Sequence, residues 1–533
     1  MKKFAVLISG VLFLVNAAMA GGILTNTNQS AQFARMLSRN ASTDLDAVYF
    51  NPAGLTQLKN GFYFGLQNQS ITQTKTITSE FPLQYDEYIG DVKAPVFPTA
   101  FAVYKLDNWA FSAGFGPNGG GGSAKFDKGL PSFEKQIARL VPQLSGLSSL
   151  GFPVSDYAVD IQFEGTSVFW GIQLGATYKI NDILSVYGGA RYLPSVNTYT
   201  GTISNIKLGP AGALVAGQTY LANAAAVATS KAQATAGAAT SLQPLVEAGA
   251  GGYTIAQVED AGYITAAQRA QIEGGLQQLG LSAAQINEIS ISGAQSTYTT
   301  ASVTLAATAS QLNTNSSGLA DKQLDTKQTG TGFTPIIGFD IHLDKLNIGL
   351  KYEHQTSLTL TNSTKVDDTG LFPDGEQTAS DIPAIIAGGA DYKVTDKLKA
   401  SGSFNLYLDK NVDWHTNVYG QERKIDNNYL ELAFGLEYQL NDKFALSAGY
   451  LNSNMGVSED YQSDFSYSND SYTVGLGFQW NLNKKLVLDA GTMITTYKDY
   501  TKSFTEPAPF GTYNETYGKS TFTFAIGIGY KIF

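Results

Sequence analysis

The 533-residue chain has no cysteine, three histidines and few charges, with Lys, Arg, Asp and Glu together making up 15%. Without cysteine there is no disulfide framework, no thiolate nucleophile and no Cys-ligated metal or cluster. Soluble domains carry roughly a quarter charged residues. So low a charged fraction beside 55 glycines, 29 tyrosines and 29 phenylalanines fits neither a soluble enzyme nor a disordered chain. Basic residues are outnumbered 35 to 45, and a net charge of −10 argues against nucleic-acid binding, which needs basic groups in excess to neutralise phosphates. Beyond residue 20 no apolar run is long enough for a transmembrane helix.

What is present begins with an export signal. Lys2 and Lys3 precede an apolar run from Phe4 to Val15 and the small-residue site Ala18, Met19, Ala20. This order predicts a signal peptide over 1–20, with cleavage after Ala20.

From residue 61 onward the chain alternates with a period of two. Between Tyr472 and Trp480 one face carries Tyr472, Val474, Leu476, Phe478 and Trp480, and the other Thr473, Gly475, Gly477 and Gln479. Such segments occur at 61–75, 97–106, 109–117, 160–180, 184–206, 326–342, 346–361, 379–394, 397–412, 428–440, 443–455, 466–480, 485–499 and 518–533, fourteen in all. Six short turns and seven longer loops alternate between them, as an up-and-down barrel with both termini on the periplasmic side requires. The segments exceed the usual strand of a soluble sheet, and about nine to eleven tilted residues suffice to cross a bilayer. Trp109, Tyr178, Tyr352, Tyr392, Tyr438, Trp480 and Tyr530 fall on the apolar phase near short turns, where an interfacial girdle belongs. The fold expected is all-β, a 14-stranded antiparallel transmembrane β-barrel over 61–533. The last strand carries Phe522, Phe524, Ile526, Ile528 and Tyr530 on one face, although the terminal Phe533 falls out of phase with them. A terminal aromatic resembles the signal read by the barrel assembly machinery of the bacterial outer membrane.

Residues 21–60 do not alternate. A lumen enclosed by fourteen strands needs filling if it is not to leak, so this segment is expected as a plug. Asp44 and the run Ala47, Val48, Tyr49, Phe50, Asn51, Pro52, Ala53, Gly54, Leu55 resemble the N-terminal hatch of the long-chain fatty-acid outer-membrane transporters (FadL type), which include aromatic-hydrocarbon channels. The resemblance covers most of the chain: leader, hatch and fourteen strands. It implies that Asn51, Pro52 and Ala53 anchor a hatch inside the lumen.

The third segment breaks at Gly116, Pro117 and a glycine run to Gly122, after Gly114. Proline cannot donate to a ladder and glycine adds no packing, so pairing must weaken here. The resemblance implies that Gly114, Gly116 and Pro117 form an inward kink through which an apolar ligand leaves sideways; a flexible loop start is the alternative. Two external loops are long, 118–159 and 207–325. In the first, Ile137, Leu140, Val141 and Leu144 recur at helical spacing, a candidate capture face or simple loop packing. In the second, Thr254 with Gln257, Thr265 with Gln268 and Ser282 with Gln285 are capping boxes, and Gly262 and Gly280 are placed to end helices. Helical external loops are therefore expected.

Catalysis is not expected. Of His342, His354 and His415, only His415 with Asp413 forms a pair that could be read as an acid-base dyad, and two residues apart in an exposed loop it reads as loop composition. Neither metal spacing nor a phosphate-cradling loop is evident, so no cofactor or metal is expected. The function expected is passive uptake of hydrophobic small molecules, most of all long-chain fatty acids, by an outer-membrane monomer whose partners are ligand and lipid. A general porin, or an adhesin acting through 207–325, is the alternative. Arg191 is a candidate partner for a ligand carboxylate, against internal pairing with Asp340 or Glu353.

Overall fold

The computed structural model describes residues 23–415 and 422–533; the leader and the first two residues of the expected plug lie outside the described residues. The wall consists of fourteen antiparallel strands. The first five are Gly61–Ser79, Glu87–Leu106, Trp109–Phe126, Asp156–Lys179 and Leu184–Gly209, and the sixth is Lys322–His342. The seventh is interrupted (Leu346–Glu353, then Thr359–Asp367), as is the eighth (Gln377–Ala379, then Ile385–Lys393). The remaining six are Leu398–Tyr407, Tyr429–Gln439, Phe444–Asn454, Ser471–Asn481, Leu486–Tyr497 and Gly511–Lys531. The first strand pairs with the fourteenth from Tyr63 opposite Lys531 to Ser79 opposite Glu515, which closes the cylinder and leaves no free edge.

Alternation sorts the side chains. Leu66, Leu174, Phe434 and Leu476 are exposed on the outer face at 52–61%, while their neighbours turn into the bore. In water so much outward apolar surface would be unfavourable at about 25 cal/mol per Å2. In lipid it is at home. The strands are longer than a bilayer requires, 19 residues in the first and 26 in the fifth. Their outer faces turn polar beyond the belt, with Ser70, Thr72, Thr74 and Thr76 on the first strand.

This polar extension explains two differences from the sequence expectation. The second strand starts at Glu87 rather than 97, and the third runs to Phe126 rather than ending at Pro117, so the loop expected from 118 begins later. Above the lipid an outward Glu87, Asp91 or Lys93 hides the strand period. A third difference lies at 466–470, expected in the twelfth strand, which instead starts at Ser471. Residues 461–469 are all buried, and Phe465 and Tyr467 join Ile77, Tyr88, Phe126, Phe163 and Tyr199 of the wall in one cluster. Tyr467 Oη donates to Gly518 O at 2.8 Å, and Asn469 Nδ2 to Tyr517 O at 2.8 Å. The loop folds into the bore because its aromatics find partners there.

A separate helical body comprises residues 136–160 and 204–321. Its helices Gly217–Glu247 and Ile291–Gly318 pack through small residues, including Ala225, Ala228 and Ala294, and Ser302 Oγ reaches Ala232 O at 2.9 Å. The three capping boxes form as the sequence predicts, on helices Ile255–Asp260, Ala266–Gln278 and Ala283–Glu288. Gly262 and Gly280 follow with φ of +75° and +91°. The run at 137–144 is helical but broken between Ala138 and Leu140, because Pro142 has no N–H for the Ala138 carbonyl. Ile137 and Leu144 are buried; Leu140 and Val141 are half-buried.

Candidate functional site

The segment from Ile23 to Gln57 lies within the bore and is buried almost throughout. A helix, Ala31–Met36, is capped by Ser30, whose Oγ accepts from Phe33 N at 2.8 Å. Buried cations need partners, and here each has them. Arg35 Nε meets Asp489 at 3.0 Å, and its Nη1 reaches both Glu437 and Ser447. Arg39 is held by Asp44 and Asp46, both at 2.7 Å. Burial alone would lower the Arg39 guanidinium, but Asp46 and Asp44 outweigh it and keep it firmly charged.

Glycines on the wall let this segment approach. A Cβ on Gly475 would stand 2.6 Å from Ala34 O, one on Gly491 2.6 Å from Arg35 N, and one on Gly389 3.0 Å from Ala41 N. On Gly449 it would strike Met36 O. The sequence shows these residues as the small face of alternating strands. Their alignment across neighbouring strands becomes visible only with register.

Of the motif residues, Asn51 Nδ2 donates to Asp340 Oδ1 at 2.7 Å and to Ser42 O at 3.1 Å, and Asn347 Nδ2 gives Asp340 a second bond at 2.7 Å. Thr177 Oγ1 donates to Pro52 O at 2.7 Å. Ala53 packs with Tyr187 and Ile336. Asn51, Pro52 and Ala53 therefore sit against the fourth to seventh strands.

The kink is one-sided. The second and third strands pair at 90–93 with 123–126 and again at 100–106 with 109–115, but not between. The third strand stays bonded to the fourth throughout, with irregularities at Pro117/Gly119 and Gly120/Gly122. Gly120 and Gly121 have φ of +64° and +113°, which only glycine adopts without strain. On the opposing edge stand Pro95 and Pro98, neither with an N–H to offer. Gly116 and Pro117 mark the break in the sequence, and the two prolines facing it are a second mark of it.

Inside the gap the plug takes the place of the missing strand. Asn26 N donates to Asn118 O, Asn26 Nδ2 to Gly120 O and Gln29 Nε2 to Pro117 O, each at 2.8 Å. Gln29, Val48, Tyr49, Phe101, Gly114 and Gly116 line a narrow cavity behind. Tyr49 is its hub. Its hydroxyl reaches Asn26 O at 3.1 Å, its carbonyl accepts from Lys351 Nζ at 2.6 Å, and its ring lies 4.9 Å from the Arg191 guanidinium and 4.6 Å from Lys351 Nζ. Burial raises the Tyr49 phenol above its ordinary value, so it stays a neutral donor. Glu353 ties the two cations together, 2.6 Å from Arg191 and 2.7 Å from Lys351. Arg191 thus pairs with Glu353 and not Asp340, and this cluster of two cations and one acid carries one excess positive charge.

The histidines are dispersed. His342 bonds Asn347, His354 bonds Tyr352, and His415 meets Ala379 O and, at 3.5 Å, Asp413. Among the described residues no group of His, Asp and Glu is arranged to hold a metal ion.

No family model and no curated protein matches the chain. Solved structures match it through the fold. The crystal structure of a Pseudomonas aeruginosa FadL homologue superposes with a TM-score of 0.57 at 12% identity, covering 96% of this chain and 100% of that one. The fold is that of the FadL-type channels. A weaker likeness, with a TM-score of 0.49 at 11% identity, links it to the Pseudomonas putida toluene transporter TodX over 96% of this chain and 100% of that chain. With its apolar belt and closed wall, the barrel is of the outer-membrane kind.

Proposed function

We propose that the protein takes up hydrophobic small molecules passively across the outer membrane, long-chain fatty acids foremost. The observation that carries this is the one-sided gap in the wall, where Asn26 and Gln29 of the plug, rather than a strand, bond the carbonyls of Gly120 and Pro117. A ligand captured at the apolar face of Ile137, Leu140, Val141 and Leu144 enters the bore without an energy source, since each buried methylene contributes about 0.8 kcal/mol. Release is the costly step. Asn51, Pro52 and Ala53 anchor the hatch while its tip at Asn26 and Gln29 withdraws, and the stretch beyond the paired Gly114, from Gly116 and Pro117 onward, then opens toward lipid. Arg191, with Lys351, faces this route and supplies the excess charge that a carboxylate needs. The hatch and the inward loop 461–469 fill the bore, which disfavours an open porin for polar solutes.

The test is uptake of labelled fatty acid into liposomes holding the full-length protein. Replacing Gly116 and Pro117 with threonine should lower uptake at least tenfold, and deleting residues 23–57 should make passage leaky to small ions. Unchanged uptake and tightness in both would overturn the reading.

A further inference from the structure

Successive residues at the tip of the hatch bond different parts of the wall. Asn26 and Gln29 hold the third strand at the gap, and Asn28 Nδ2 meets Gln69 Oε1 of the first strand at 3.1 Å. Thr27 bonds the far wall: its Oγ1 donates to Glu431 Oε2 of the tenth strand at 2.9 Å. In a ring of fourteen strands the third and the tenth are seven apart, so the tip is a strut across the bore.

Glu431 is fully buried. A buried carboxylate is unfavourable unless cations or hydrogen-bond donors compensate it. Asp489, Glu437 and Glu353 each meet a cation. Glu431 forms no ion pair among the described residues and is met by donors alone. Asn405 Nδ2 reaches its Oε2 at 2.9 Å and Tyr407 Oη at 3.1 Å, while Tyr429 Oη reaches Oε1 at 2.8 Å. Register brings them together: Asn405 stands opposite Glu431, and Tyr407 opposite Tyr429 with the two rings stacked at 4.8 Å. A bond to a carboxylate is roughly twice as strong as one between neutral groups. Of the tip's side-chain bonds to the wall, Thr27 makes the one to a charged group, since Asn26, Asn28 and Gln29 meet neutral partners.

The same arrangement can let go. When Thr27 leaves, Oε2 keeps Asn405 and Tyr407 and Oε1 keeps Tyr429, so withdrawal of the tip leaves no orphaned charge in the wall. We infer that Glu431 is a positioning residue, a latch that holds Asn26 and Gln29 in the gap from the opposite wall through Thr27. Its part in release rests on the uptake reading above, to which it adds the bond that must break before the gap can open.

The test is amide exchange, read by mass spectrometry on the full-length protein in a neutral detergent without ligand. Thr27→Val removes the hydroxyl and keeps the shape; Glu431→Gln removes the charge. Each should quicken exchange at residues 24–29 about tenfold, and the double variant should be no faster than either single one. Thr27→Ser, which keeps the hydroxyl, should exchange like the wild type. Heat-modifiable migration confirms that each barrel has folded. Additive effects of the two variants overturn the latch, as does unchanged exchange in Thr27→Val. So does a quickening in Thr27→Val that spreads through the tenth strand, which is what a merely structural role would produce. Uptake of labelled fatty acid into liposomes is read separately, and Thr27→Val should raise it about threefold. Coupled exchange with unchanged uptake removes Glu431 from release and overturns the inference, while the uptake reading stands or falls by its own Gly116 and Pro117 variants.

Discussion

Tyr49 and Asn26 join the charged cluster to the gap: the Tyr49 hydroxyl donates to the carbonyl of Asn26, whose side chain in turn donates to Gly120 O on the kinked strand. A displacement at one end of this relay must therefore be felt at the other.

Tyr49→Phe keeps the ring between Arg191 and Lys351 and removes only the bond to Asn26. It should cost about 1 kcal/mol of local stability. Amide exchange at residues 24–29 should quicken about fivefold while exchange in the wall strands stays unchanged. Tyr49→Ala should cost more, since both cations lose the ring.

Valine at Gly475 or Gly491 should unseat the hatch without breaking the barrel, because the added atoms meet Ala34 O and Arg35 N. Overpacking of this kind costs about 1–3 kcal/mol, a shift of roughly five- to a hundredfold toward the displaced state. Single-channel conductance should rise, and protease should cut within 23–57. Alanine at the same positions should show the same direction with a smaller effect.

Asn51→Ala removes one of two amide donors to the buried Asp340. An acceptor left half-satisfied costs about 1–3 kcal/mol. Exchange at residues 51–57 should accelerate accordingly, and Asp340→Asn in the same background should recover part of the loss.

Asp409 lies in the loop after the ninth strand, where burial pushes its carboxyl up to about 7. A folded value raised above the unfolded one means that the loop is most stable with the group protonated. Stability should fall as pH rises from about 4 through 7. The Tyr429 amide, which donates to Asp409 Oδ2 at 3.2 Å, should lose protection between pH 5 and pH 8 beyond the intrinsic exchange trend. Asp409→Asn should flatten that dependence.

The wall was legible in the sequence because lipid imposes one rule on every strand: apolar outward at each second residue, as in Tyr472 to Trp480. Legibility failed where the rule lapses. Above the belt Glu87 and Asp91 face water, so the strand there looks like loop, and Phe465 and Tyr467 alternate like a strand while packing inside the bore. The hatch was readable through Asn51, Pro52 and Ala53, and the gap through Gly116 and Pro117. Its closure by Asn26 and Gln29 was not, since amides in a polar stretch carry no period. Nor was the match of Arg35 to Asp489, separated by 454 residues in sequence. Glycines 389, 449, 475 and 491 looked like filler until strand register aligned them against one helix and its flanks.

The inward loop at 461–469 gives the conduit a second door. With the hatch on one side and this loop on the other, the bore is filled at two levels, so the uptake proposed above has to displace both closures. A cylinder stoppered twice can be wide without short-circuiting the envelope that it pierces.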